Sequence, residues 1–141
     1  MAAYRRLRWE LFRKPHGLPP GSEYYDGEEG GLHIAAFEDG MLVGGMFLLD
    51  RGNGNAQGHQ MVVREDHRDR GIAAALVARL EELARDQGFT RIYYHVRTHL
   101  TPMFLHRGCQ VVDEADLPAG LSNVTAPAVP HLFLKKDLAP D

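Results

Sequence analysis

The stretch Arg64 to Leu76, REDHRDRGIAAAL, is the strongest constraint on how this chain can fold. The apolar run HQMVV before it reads as a strand, and past Gly71 the apolar spacing becomes helical. Ile72, Leu76, Leu80 and Leu83 fall four, four and three apart, with Arg79, Glu82, Arg85 and Asp86 on other faces and Gly88 as the stop. The pattern predicts a strand, a short loop and a helix of about four turns. Such a junction leaves the first helical N–H groups without intrahelical acceptors, with the positive end of the helix dipole behind them. Gly71 lets backbone approach a ligand, Ala73 and Ala74 keep the first turn bare, and Arg68 and Arg70 can add charge to the rim. Phosphate is the natural occupant, although a plain polar loop and helix cap would use the same residues.

The rest of the chain supplies a sheet for this junction. LHIAAF and MLVGGMFLL, separated by Glu38-Asp39-Gly40, read as an antiparallel hairpin, and RGNGNAQG as a turn-rich connection to HQMVV. RIYYHVR reads as a strand and TPMFLHRG as a short helix with Pro102 in its first turn and Gly108 at its end. CQVVDEA and HLFLKK read as the last two strands. At the start, Ala3 to Lys14 places Leu7, Leu11 and Phe12 at helical spacing until Pro15, and PHGLPPGSEYYDGEEGG then has the chemistry of a loop. Helix, three strands, helix, strand, helix and two strands make an α/β chain with a mixed sheet covered by helices, expected as a single domain over residues 1–141.

Sixteen Lys and Arg against nineteen Asp and Glu give a formal charge of -3, which argues against nucleic acid as a partner. No apolar run resembles a signal peptide or a membrane span, so no membrane association and a cytoplasmic location are expected. A single cysteine, Cys109, excludes an intramolecular disulfide and a cysteine-based zinc site. There is no H-E-x-x-H, and His95 and His99 straddle a strand end, so no metal is assigned. Asn123-Val124-Thr125 fits a glycosylation sequon by chance. No G-x-x-x-x-G-K-[ST] is present, and Gly52, Gly54 and Gly58 open no helix, so neither nucleotide fingerprint fits.

Arg68-Asp69-Arg70-Gly71-Ile72-Ala73 resembles the [QR]-x-x-G-x-[GA] signature of the GCN5-related N-acetyltransferases, the GNAT superfamily. RTHLTPMFLHRGC, Arg97 to Cys109, resembles that family's ARTSAxxFYERLGF pattern. VPHLFLKKDL and the early LRWELFRKPHGLPPGSE are similar to an ElaA-like branch, so the likeness runs through most of the chain. The resemblance implies a central, mostly antiparallel twisted sheet flanked by helices, here with the first strand missing, and acetyl transfer from acetyl-CoA to a small-molecule or peptide amine. It also implies that Arg68, Asp69, Arg70, Gly71, Ile72, Ala73 and Ala74 hold the pyrophosphate. The strand end at Val62 and Val63 would pair with the pantetheine arm and supply an oxyanion N–H near Val63. Phe104 stands where the family often carries a tyrosine that protonates the departing thiolate, which puts the general acid in doubt.

Acetyl transfer needs a base, and imidazole has a suitable pKa. His95 shares strand parity with Arg97, and His59 stands at the start of the strand leading into the loop. Each is a candidate base beside the plainer reading of a structural histidine, and a water relay is a third route. His16, His33, His67, His99 and His106 read as solvated or satisfied side chains, and Cys109 as a small buried hydrophobe. Tyr24, Tyr25, Tyr93 and Tyr94 include possible acids but read first as packing residues. Glu23, Asp26, Glu28 and Glu29 form an acidic loop that could draw a cationic amine. Two rival readings stay open: a coenzyme A-binding regulatory module without transfer, and an interaction protein whose bare sheet edge forms a homodimer.

Overall fold

The computed structural model describes residues 2–10, 14, 17, 19–21, 30–118, 121 and 131–138. Helix α1 spans Ala2–Arg8 and passes into a wider turn at Trp9 and Glu10. The regular helix is therefore shorter than the Ala3 to Lys14 expected, and Leu11 and Phe12 lie outside the described residues. A helix this short is held by tertiary packing and not by propensity. Tyr4 and Leu7 are buried, and the Arg8 guanidinium lies over the Tyr4 and Phe47 rings at 5.0 and 5.4 Å.

Strands β1 (Leu32–Glu38) and β2 (Met41–Gly52) form the expected hairpin, pairing from Leu32↔Leu48 to Glu38↔Met41. Asp39 and Gly40 both take positive φ, 51° and 79°, the backbone of a tight two-residue turn matched to strand twist. The next turn is equally tight, at Asn53 and Gly54, so β3 runs Asn55–Val63. RGNGNAQG is thus mostly strand and not a connection, because Asn-Gly alone reverses the chain and the polar residues beside it pair.

Past β3, α2 spans Ile72–Asp86, β4 Arg91–Arg97, α3 Thr101–His106, β5 Gln110–Val112 and β6 His131–Asp137. Strand β5 is shorter than CQVVDEA, whose last residues enter a 3-10 turn at Glu114–Asp116. Among the described residues the sheet has six strands in the order β1-β2-β3-β4-β6-β5, and the first element is α1. Strands β3 and β4 are parallel from Asn55↔Arg91 to Gly58↔Tyr94, while β6 is antiparallel to both β4 and β5. This is the mixed, mostly antiparallel sheet with helices that was expected.

Internal packing divides the chain into two compact units, Met1–Leu48 with Gln60–Leu80 and Leu49–His59 with Glu81–Asp141. In the first, Gly44 and Gly45 let elements approach opposite faces of β2. A Cβ on Gly44 would come 2.7 Å from the Val62 carbonyl and 3.3 Å from Leu76 of α2, and one on Gly45 2.9 Å from the Tyr4 ring of α1. In the second, Glu81 of α2 is 1% exposed and gathers three donors. Tyr94 Oη donates to its Oε2 at 3.0 Å, and Arg107 Nη2 and Lys136 Nζ to its Oε1 at 3.0 and 2.9 Å. Two cations and a phenol on one carboxylate satisfy a buried charge that would otherwise be costly.

Candidate active site

The loop between β3 and α2 runs from the strand end at Val63 to the helix start at Ile72. Gly71 accepts the first helical bond, from Ala75 N at 3.0 Å, so the amides of Ile72, Ala73 and Ala74 open the helix without intrahelical acceptors. Asp69 and Gly71 both take positive φ, 64° and 80°, on either side of Arg70. Left-handed backbone of this kind turns successive amides toward one concavity suited to an anion. A Cβ built on Gly71 meets no atom within 4 Å, so this glycine answers a backbone requirement and not a crowded one. Arg68, Asp69 and Arg70 are exposed, Ile72, Ala73 and Ala74 half-buried, Val62 buried and Val63 half-buried.

Residues outside the motif hold this loop, and sequence reasoning missed them. Ala36 pairs with Gly44 and Phe37 with Leu42, which leaves Val43 as an extra residue in β2, a β-bulge. Arg64, where β3 hands over to the loop, uses it twice: its N donates to Val43 O and its Nε to Leu42 O, each at 2.7 Å. Glu38, at the end of β1, accepts from Arg70 Nη1 at 2.9 Å and lies 3.9 Å from His67 Nε2. Arg70, half exposed at the rim, is therefore held to the hairpin by Glu38. His67 Nδ1 lies 2.8 Å from Asp66 Oδ1, and this bond, more than the charge of Arg64, lowers the Asp66 carboxyl below its usual range. The hairpin signal at Asp39-Gly40 was the only hint that Glu38 would face the loop.

The candidate bases stand in different surroundings. His59 is not at a strand start but deep in β3 and buried, with Nε2 at 3.1 Å from Arg51 Nη2, while Arg51 Nε donates to Gln57 at 2.9 Å. A guanidinium that only donates occupies the Nε2 lone pair, which favours the structural reading of His59. His95 is half-buried and stacks on Phe133, with centroids 4.2 Å apart. Phe104 is 0% exposed and packs on Tyr94 at 4.8 Å. Burial first, and Glu81 second, push the Tyr94 phenol well above its ordinary range, so it is a bound donor and a poor proton source. The same two causes push the Cys109 thiol up to about 11, which suits the buried hydrophobe expected. Glu23, Tyr24, Tyr25, Asp26, Glu28 and Glu29 lie outside the described residues.

A cavity of about 410 Å³ opens in the first unit beside the strand end, lined among the described residues by Leu7, Glu10, Arg64, Glu65 and Asp66. No group of three or more His, Cys, Asp or Glu among the described residues is placed to hold a metal ion, and no described helix is long and apolar enough to cross a membrane.

Residues 1–106 match the Acetyltransferase (GNAT) family. The chain belongs to that family. Its members take the acyl group from acetyl-CoA. Over 88 residues this GNAT chain is 36% identical to mycothiol acetyltransferase of Nocardiopsis dassonvillei, a match that covers 62% of the chain and 24% of that protein. It thus spans about a quarter of that relative's length. An aminoglycoside 6'-N-acetyltransferase solved with coenzyme A superposes with a TM-score of 0.75 at 17% identity, over 99% of this chain and 91% of the other. Escherichia coli ElaA superposes with a TM-score of 0.75 at 17% identity, over 96% and 88%. At these identities the likeness is one of fold, and ElaA is one structural neighbour of the GNAT chain among many.

Proposed function

We propose that the chain is an acetyl-CoA-dependent N-acetyltransferase, acting as one domain in the cytoplasm on a small-molecule or peptide amine, and of an ElaA-like branch. One observation carries the reading: the β3–α2 loop, with positive φ at Asp69 and Gly71 and open helical amides at Ile72, Ala73 and Ala74. These residues fit a pyrophosphate, since the backbone donates and a Cβ on Gly71 would meet no described atom within 4 Å beyond its chain neighbours. Arg68 adds an exposed charge at the rim, and Val62 and Val63 offer strand backbone to an extended arm. Bound there, acetyl-CoA would supply an acetyl group activated as a thioester; the amine nitrogen attacks its carbonyl carbon, the C–S bond breaks and the electron pair leaves on sulfur.

The chain's part is to bind, to stabilise the oxyanion through a backbone N–H near Val63, and to receive the amine's proton. Of the two imidazole candidates we favour His95, on its strand parity with Arg97, over His59, whose Nε2 faces Arg51. No side-chain acid is needed, since a thiol of pKa about 8.5 is a tolerable leaving group. If His95 is the base, His95→Gln lowers the maximal rate about 10²- to 10⁴-fold and removes the acidic limb of the pH profile. Phe104 favours a second reading, a coenzyme-binding module without transfer. The deciding experiment is calorimetric titration with coenzyme A, followed by mass spectrometry of an amine panel incubated with acetyl-CoA. Tight binding with no acetylated amine selects the module, and no binding removes both readings. A homodimer through β1 is also proposed, supported by the edge position of that strand among the described residues and by exposed Leu32 and Phe37 on it and Met41 at the start of β2.

A further inference from the structure

The cavity beside the cofactor loop carries two opposite charges, on Arg64 and Glu65, that form no side-chain ion pair among the described residues. Of its five described lining residues, Glu10 is paired with Arg6 at 3.2 Å and Asp66 with His67 at 2.8 Å. Glu65 makes no side-chain hydrogen bond or ion pair among the described residues. The hydrogen bond of the half-buried Arg64 guanidinium is the one from Nε to Leu42 O, which fixes the fork and leaves the two terminal nitrogens without a hydrogen-bonded acceptor there. With the internal pairs set aside, what remains is one two-pronged cation, one carboxylate and the apolar side chain of Leu7. A guanidinium fork matches a carboxylate two-prong to two-prong, and a lone carboxylate matches an ammonium. About 410 Å³ is a suitable volume for a small ligand, and the cavity touches the three residues that open the turn into the cofactor loop.

We propose that this cavity is the acceptor subsite and that it takes an amino-acid-like zwitterion, with the ligand carboxylate on Arg64, its ammonium toward Glu65 and its side chain along Leu7. The proposal rests on the acetyltransferase reading and adds to it the class of acceptor. A purely cationic amine would face the Arg64 guanidinium without a carboxylate to offer it, and a simple acid would face Glu65 without an ammonium.

The test uses three probes that differ by one group each: L-norvaline, butylamine and pentanoate, titrated into the full chain with coenzyme A present and followed by NMR. L-Norvaline is expected to bind at least tenfold more tightly than either half-molecule, and Arg64→Gln and Glu65→Gln are each expected to weaken it at least tenfold. Glu65→Gln removes no side-chain hydrogen bond or ion pair among the described residues, so it stands as evidence even if Arg64→Gln disturbs the β2 bulge. Butylamine binding as tightly as L-norvaline, or L-norvaline binding unaffected by Glu65→Gln, overturns the zwitterion subsite. So does L-norvaline failing to bind a protein that binds coenzyme A. Acetylation of plain amines with that result leaves the transferase reading standing, whereas failure to bind coenzyme A removes the transferase reading itself.

Discussion

Single side chains separate what the loop needs from what merely surrounds it. Gly71 has open space above it but a φ of 80°, so Gly71→Ala costs about 1–2 kcal/mol of loop strain through backbone conformation. Coenzyme A affinity is expected to fall by at least that much, and calorimetry reads it directly. Arg68→Ala, at an exposed position, should weaken binding by about 1–3 kcal/mol, the range for a hydrogen bond to a charged group. Burial first, and the neighbouring Glu81 second, push the Cys109 thiol from the ordinary 9.0 up to about 11 in the folded chain. The folded state therefore holds that proton more tightly. Its contribution, up to ~3 kcal/mol, is present below pH 9 and is lost as pH rises toward 11. Tyr94, shifted in the same direction, adds to the loss at still higher pH. Denaturant unfolding at a series of pH values should show this alkaline slope, and Cys109→Ala should make it shallower. Phe104→Tyr tests the acid position: the ring is fully buried, so a new hydroxyl there costs about 1–3 kcal/mol of stability unless it finds a partner.

Among the elements, β2 does more than a strand in a hairpin is usually asked to do. Its bulge at Val43 presents two successive carbonyls to Arg64, and its Gly44 leaves room for Leu76 and Ile72 of α2. An added methyl at Gly44 would lie 2.7 Å from a backbone oxygen, which cannot swing aside as a side chain would. Gly44→Ala is expected to cost about 1–3 kcal/mol by overpacking, and to weaken coenzyme A binding as well by shifting the start of α2. Thermal unfolding and calorimetry on the same sample check both. Gly45→Ala, which crowds the Tyr4 ring of α1 as well as the Ile34 carbonyl, should destabilise the chain with less effect on binding.

For the molecule as a whole, a ligand that binds only the folded state raises its stability by mass action. Coenzyme A at a hundred times its dissociation constant should add about 2.7 kcal/mol, and Gly71→Ala should require proportionately more ligand for the same shift in Tm. Much of this architecture could be read in advance from local rules. Period-two and helical spacing marked the strands and α2, Asp39-Gly40 marked the hairpin, and Gly71 marked the strand-to-helix junction with its positive φ, because each signal depends on neighbours a few residues apart. Asn53-Gly54 obeyed the same rule but was hidden in a glycine-rich segment whose length suggested a loop. The rest needed the folded chain. Glu81 is an ordinary polar position in the helical pattern, yet it is buried under donors from residues 94, 107 and 136, far away in sequence. Glu38 reaches Arg70 across 32 residues, and the position of β6 between β4 and β5 leaves no mark on any of the three strands. A side chain's local spacing specifies which face it takes, but its partner is whatever the rest of the chain brings to that face, and only three-dimensional packing sets that.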